Sequence, residues 1–324
     1  MTNTITVSAP GKLMLIGEHA VVYNYPCIVT AVGQRMGVTV AYIDQPRFEL
    51  EAPDVNIVGY GKAIEEIGTG DMPKGASFVE VAVKNFLEKH PLHKGIRVIT
   101  TSEFSSQFGF GSSSASTVCT IKALSELGGA ELSNKDLFDV AYKTVLDIQG
   151  KGSGFDVAAA IYGGTLYFVT AGKIIEPLPT PQIPLIVGYT GVKADTTALV
   201  KQVALMRDTF PEKVNKIFAA IGQLVDQAKP KLLAGDWTAF GKFMNFDQEY
   251  LRDLGVSSQV LEDLIHAANG AGATGAKLSG AGGGDCMIAI ASEEKKHAVA
   301  EALSKAGGKI LDVDANVEGV RVEN

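Results

Sequence analysis

Cysteine is scarce: three residues, Cys27, Cys119 and Cys286, lie far apart and are odd in number. That excludes a disulfide framework, and no CxxC spacing supports a zinc site. Positive charge is also in short supply, with 29 Lys+Arg against 36 Asp+Glu and a formal net charge of −7. A nucleic-acid coat would carry the opposite sign, so any anionic ligand must be held by a few local cations and backbone amides. No long apolar run is present; the longest uncharged stretch, Phe104 to Ile121, is rich in Ser and Gly and is no membrane span. Residues Met1 to Pro10 lack a basic segment followed by an apolar one, so no signal peptide is expected and the protein is expected in the cytoplasm. No repeat of fixed period appears, which argues against solenoids and propellers.

What is abundant is apolar residue and glycine. With 324 residues, 46% of them hydrophobic, the chain can bury a large core in one large or two modest domains. Of its 36 glycines, many gather in three clusters: Gly109–Ser116 (GFGSSSAS), Gly150–Asp156 (GKGSGFD) and Gly280–Asp285 (GAGGGD). Alternating β-branched residues predict strands at 5–7, 38–43 and 96–100. A helix is predicted after GFGSSS, and Ser133 with Asp136 forms a capping-box pattern ahead of a second helical run to Ile148. Pro177, Pro179, Pro181 and Pro184 mark a linker. Beyond it, helices are predicted over 196–208, 212–233 (kinked or ended by Pro230), 237–254, 259–268 and 293–306. Strands are predicted over 286–291, 309–313 and 317–322. Two α+β domains follow, 1–179 and 180–324.

GFGSSSAS has the makings of a phosphate cradle: Gly109 and Gly111 admit close backbone approach, and a helix N-terminus offers free N–H groups and a positive dipole end. Ser112, Ser113 and Ser114 could donate to phosphate or ligate Mg²⁺. The segment is neither a Walker A loop, since no GK[ST] follows, nor a good dinucleotide fingerprint. A tight turn with a Ser-rich cap is the bland alternative. GAGGGD holds more glycine than a hairpin needs, which favours approach to a ligand over a mobile surface loop. Lys12 and Asp156 supply a cation and a base, the pair an alcohol phosphotransferase requires. His19 lacks partners for a metal, so a structural or substrate hydrogen-bonding role is expected. His90 and His93 look like surface residues, and the stripe Val214, Ile217, Phe218, Ile221, Leu224, Val225 reads as core.

Together, APGKLMLIGEHAVVY near the start, GFGSSSA in the middle and KLSGAGGGDC near the end resemble the three ordered motifs of the GHMP kinase superfamily. GEHAVVY, the following YPCIVTAV and the stretch from Leu254 to Gly284 are most similar to its mevalonate kinase branch. The resemblance implies a ribosomal-protein-S5-like N-terminal domain, a ferredoxin-like C-terminal domain, and transfer of phosphate from ATP-Mg²⁺ to the primary alcohol of mevalonate. It places ATP at Gly109, Gly111, Ser112, Ser113 and Ser114, with Ser113 on magnesium. It also makes Asp156 the catalytic aspartate and Lys12 its partner, and sets Glu18, His19, Thr196, Gly282 and Gly283 near the substrate. Neither a nucleic acid nor a membrane is an expected partner, and a homodimer is admissible. Three departures stand out: Val145 occupies the position of a magnesium-binding Glu, with Asp147 turned to another face, while QGKGSGFDVAAAIYG and the Asp285 of GAGGGDC look more like phosphomevalonate kinases. Phosphomevalonate is therefore the alternative acceptor. A catalytically silent metabolite sensor is disfavoured because Lys12 and Asp156 are both present.

Overall fold

In the computed structural model, which describes residues 4–92 and 94–323, β1 (Thr4–Ile16) and β2 (Pro26–Ile43) form a long antiparallel hairpin. β1 is buried on both faces from Val7 onward. Its apolar run therefore shows no alternation, and periodicity reveals only 5–7 of it. A register shift at Pro10/Gly11 lets β1 leave its partner briefly, and Lys12 N–H donates instead to the Phe110 carbonyl (2.9 Å). The sheet grows through β3 (Arg47–Ala52), β4 (Ile57–Ala63) and β5 (Gly95–Ser102), in the order β1-β2-β5-β3-β4, with β3 and β5 parallel.

Four helices belong to this first unit: α1 (Ser77–Leu87), α2 (Ser112–Gly128), α3 (Asn134–Gln149) and α4 (Phe155–Tyr162). The capping box at Ser133 and Asp136 is present and starts α3. Then β6 (Thr165–Val169) pairs with β2, and β7 (Ile174–Leu178) with β6. Pro177 thus belongs to a strand paired on one side only, which tolerates a missing donor; the linker proper is 179–184. His90 is half-buried and packs on Phe86 (ring centroids 5.0 Å) rather than lying free on the surface. His93 lies outside the described residues.

The second unit opens with β8 (Leu185–Tyr189) and runs through α5 (Thr196–Thr209), α6 (Pro211–Leu233), α7 (Trp237–Asp253) and α8 (Gln259–Gly270). It closes with β9 (Gly275–Ser279), β10 (Cys286–Ile290), α9 (Glu293–Lys305) and β11 (Lys309–Leu311). The antiparallel order β11-β8-β10-β9, with helices after β8 and β10, is the ferredoxin-like arrangement. Pro230 neither ends nor breaks α6, which continues to Leu233, because a missing N–H in the last turn removes only one intrahelical bond. The strand expected over 317–322 is shorter, β12 (Arg321–Glu323), and it returns to pair with β1 of the first sheet. Arg35 anchors that tail, donating to the carbonyls of Glu318 (3.2 Å) and Gly319 (2.7 Å).

One apolar cluster, which includes Phe48, Phe86, Phe138 and Phe168, runs from the first sheet into Val187, Tyr189 and Ile288 of the second. A second cluster, with Phe218, Ile221 and Leu264, fills the space under α5, α6, α8 and α9. The two units therefore share buried surface, and the site lies along their seam.

Candidate active site

Two helix N-termini converge beside Lys12. The N-cap of α2 is Gly111 (φ 80°) and that of α4 is Gly154 (φ 89°), and no side chain caps either. The first-turn amides of α2, and those of α4 apart from Val157, therefore remain available to an anion, and both dipoles present a positive end. That concentrates positive potential within a chain whose net charge is −7. At Gly111 a Cβ would come within 3.2 Å of Lys12 Cε and 3.7 Å of Asp156 Cβ, so glycine is what lets loop, lysine and carboxylate meet. Gly109 is equally left-handed (φ 74°), and a side chain there would overlap Asp285.

Asp156 sits in the first turn of α4. Its Oδ2 accepts from Ser114 Oγ (2.6 Å) and its Oδ1 from the Val157 N–H (3.1 Å). Lys12 is buried, donates to the Gly109 carbonyl (2.8 Å) and lies 5.3 Å from the Phe155 ring centroid. Burial holds its ammonium below the ordinary lysine range, while Asp156 and Asp285 pull the other way. Ser112 and Ser113 are half-buried at the mouth of α2. Ser114, grouped with them in the sequence, turns its hydroxyl to Asp156 instead.

The connection between β9 and β10 is the third glycine cluster. Gly283 N–H donates to the Val256 carbonyl (2.7 Å), and a Cβ at Gly282 would overlap that same carbonyl. Asp285, at a left-handed φ of 55°, accepts from Ala194 N–H (2.9 Å) and pairs with Lys193 (3.2 Å). Thr196 is exposed, one residue after the Asp195 cap of α5.

His19 Nε2 donates to the Ala281 carbonyl (3.0 Å), and burial keeps the imidazole below its usual pKa and hence neutral. Glu18 is 1% exposed, paired with Lys277 of β9 and close to Asp247 of α7, both fully buried. Asp247 and Lys277 escaped the sequence reading. The one local clue is a lysine in a strand whose other residues, GA·LS, are small or apolar.

Val145 is buried in α3, so it offers no ligand where a carboxylate was sought. Asp147 is held by Asn85 (2.9 Å) and Lys143 (2.9 Å) on the other face. Among the described residues no three His, Cys, Asp or Glu side chains gather around a cation position. Such a sparse oxygen set, a serine hydroxyl and one carboxylate, suits Mg²⁺ that arrives with nucleotide phosphates and keeps several waters.

Gly111→Ala tests the cradle. A left-handed alanine costs about 1–2 kcal/mol of strain and its methyl displaces Lys12. Calorimetry should show Mg-ATP affinity reduced about tenfold or more with the circular dichroism spectrum unchanged; wild-type affinity would remove the loop from the nucleotide site.

Residues 77–164 match the family described as GHMP kinases N terminal domain, and residues 228–309 that described as GHMP kinases C terminal. A curated mevalonate kinase of Pyrococcus horikoshii is 38% identical, the match covering 100% of this chain and 99% of the relative. The crystal structure of the Methanococcus jannaschii mevalonate kinase superposes with a TM-score of 0.81 at 27% identity, covering 95% of this chain and 97% of that one. A Streptococcus pneumoniae phosphomevalonate kinase in complex with phosphomevalonate and AMPPNP reaches 0.82 at 18% identity, covering 96% and 99%. At that identity the likeness speaks for the fold alone.

Proposed function

The chain belongs to the GHMP kinase family, and from that premise we propose that it transfers the terminal phosphoryl group of ATP to the primary alcohol of mevalonate. The observation that carries the reading is the meeting of Lys12, Asp156 and the uncapped α2 N-terminus around Gly111. The Gly109–Ser114 turn receives the nucleotide phosphates through backbone amides. Ser113 would hold a magnesium ion arriving with the nucleotide, which would supply charge neutralisation for the transferring group. Asp156, fixed by Ser114 and the Val157 amide, accepts the proton of the acceptor hydroxyl as the oxygen attacks. Lys12 offsets the charge that accumulates on the transferred oxygens. His19, Thr196, Gly282 and Gly283 border the acceptor side.

Charge at the seam favours mevalonate over its phosphorylated form. Along 8–25 and 188–197 the cations are Lys12 and Lys193, with Lys151 the one further candidate, and Lys193 is already paired with Asp285. Lys12, Lys193, Asp156 and Asp285 sum to zero. An acceptor phosphate of roughly −1.5 to −2 charge would find at most Lys151 as a surplus cation. Comparing kcat/KM for the two acceptors, with phosphate transfer followed by ³¹P NMR, should show about a tenfold or greater preference for mevalonate. A diphosphate product formed faster from phosphomevalonate would reverse the acceptor assignment and leave the roles of Asp156 and Lys12 intact.

A further inference from the structure

Where the two units meet, Glu18 at the end of β1, Asp247 on α7 and Lys277 on β9 form an ionic cluster sealed from water, with exposures of 1%, 0% and 0%. Lys277 Nζ donates to Glu18 Oε1 and to the Leu278 carbonyl (2.7 Å) and stands 3.4 Å from Asp247 Oδ2, which also accepts from the Gly17 N–H (3.4 Å). Glu18 Oε2 and Asp247 Oδ1 remain buried without a partner. If both acids were ionised, the cluster would hold one uncompensated negative charge and two buried acceptor oxygens that no donor meets. Each of those costs kcal/mol in an interior. A single proton removes the net charge and turns one acceptor into a donor for the neighbouring carboxylate.

We propose that Glu18 is protonated in the native enzyme and donates to Asp247, so that the neutral Glu18–Asp247–Lys277 cluster is a clamp fixing the β9–β10 glycine loop, with Glu18 a positioning residue that does not contact the acceptor. The loop hangs from this clamp. Gly280 N–H points at Glu18 Oε1 (3.4 Å), and the adjacent His19 holds the Ala281 carbonyl (3.0 Å). Ser279 Oγ donates to the Met14 carbonyl and accepts from the Met14 N–H, both at 3.0 Å. These contacts tie the start of the loop to β1, two residues beyond Lys12, and so set where Gly282, Gly283 and Asp285 stand relative to Gly109. Burial pushes the Glu18 carboxyl up to about 8, with Asp247 acting the same way and Lys277 opposing. His19 and Cys27 also face the cluster; burial lowers the first and raises the second, so both are neutral beside it.

The proposal makes glutamine the faithful replacement. Its amide nitrogen donates to Asp247 and its oxygen accepts from Lys277, as a protonated carboxyl does. Alanine removes both contacts. Glu18→Ala should lower kcat about tenfold or more with the KM for Mg-ATP little changed, and Glu18→Gln should restore kcat and the acceptor KM to within about threefold of wild type. If Glu18→Gln is as impaired as Glu18→Ala, or fails to fold, the clamp is wrong and the ionised carboxylate itself is needed. A second readout is independent of activity and of the acceptor. The infrared difference between wild type and Glu18→Gln at neutral pH, with ¹³C-glutamate labelling, should contain the carbonyl stretch of a protonated carboxyl. A difference containing only ionised-carboxylate bands would overturn the proposal even if the variant were fully active.

Discussion

Asp156→Asn should lower kcat by about 10²–10⁴-fold while the KM values for ATP and acceptor change much less. Asparagine keeps the volume of the side chain, and its oxygen can still accept from Ser114, which donates at 2.6 Å to Oδ2. Its amide then faces the Val157 N–H, a donor against a donor, so the side chain sits less firmly. Within the cradle only Ser114 is bonded to Asp156, and asparagine keeps an acceptor for it, so the Gly109–Gly111 turn is undisturbed. What disappears is basicity and negative charge at the atom that must take the proton. A second consequence follows at Lys12, where Asp156 opposes the lowering effect of burial. Without that carboxylate the ammonium deprotonates more readily, so residual activity should fall off at a lower pH than in wild type. A variant that kept more than a third of wild-type kcat would show that Asp156 is not the base, provided calorimetric unfolding proves it folded.

The chemistry of the site was legible in the sequence because each of its parts is a local pattern. A glycine turn followed by serines and a helix is a local signature of an anion cradle, and GFGSSSAS does become the uncapped start of α2. Most helix limits could be read for the same reason, from spacing and from caps such as Ser133 and Asp136. What stayed hidden depends on distant pairing. Lys277 meets Glu18 across 259 positions of sequence, and nothing near either residue announces the other. Asp247 lies in an amphipathic helix where one more acid looks like part of the solvated face. β1 was underestimated because burial on both faces removes the alternation that marks a strand. Ser114 looked like a third phosphate ligand, and only the relative placement of α2 and α4 turns its hydroxyl to Asp156. In each case the missing information is which surfaces face one another, and that is set by packing between elements.

Lys277→Met should destabilise the protein by about 3–5 kcal/mol at neutral pH, lowering the unfolding midpoint by on the order of 10 °C. Methionine fills the space of the aliphatic stem, so little apolar contact is lost between β9 and its neighbours. The cost is electrostatic: Glu18 and Asp247 stay buried with no cation between them. Loss of the cation that opposes burial raises the Glu18 carboxyl further, and this gives the deficit a pH dependence of known sign. A carboxyl whose folded pKa is raised retains in the native state a proton that the unfolded chain has released. Stability therefore falls as pH rises from the unfolded value of about 4.5, at about 1.4 kcal/mol per pH unit for each retained proton. The variant should fall further behind wild type as pH rises through about 8, where Glu18 ionises in the native wild type but is held protonated in the variant. Wild type should show a weaker version of the same slope relative to Glu18→Gln, ending near pH 8 where folded Glu18 itself ionises. Combining Glu18→Gln with Lys277→Met should recover part of the loss, a coupling of about 0.5–3 kcal/mol that independent sites would not show. A Lys277→Met deficit below about 1 kcal/mol, or one that is flat with pH, would mean the cluster carries no buried charge and would remove the electrostatic basis of the clamp.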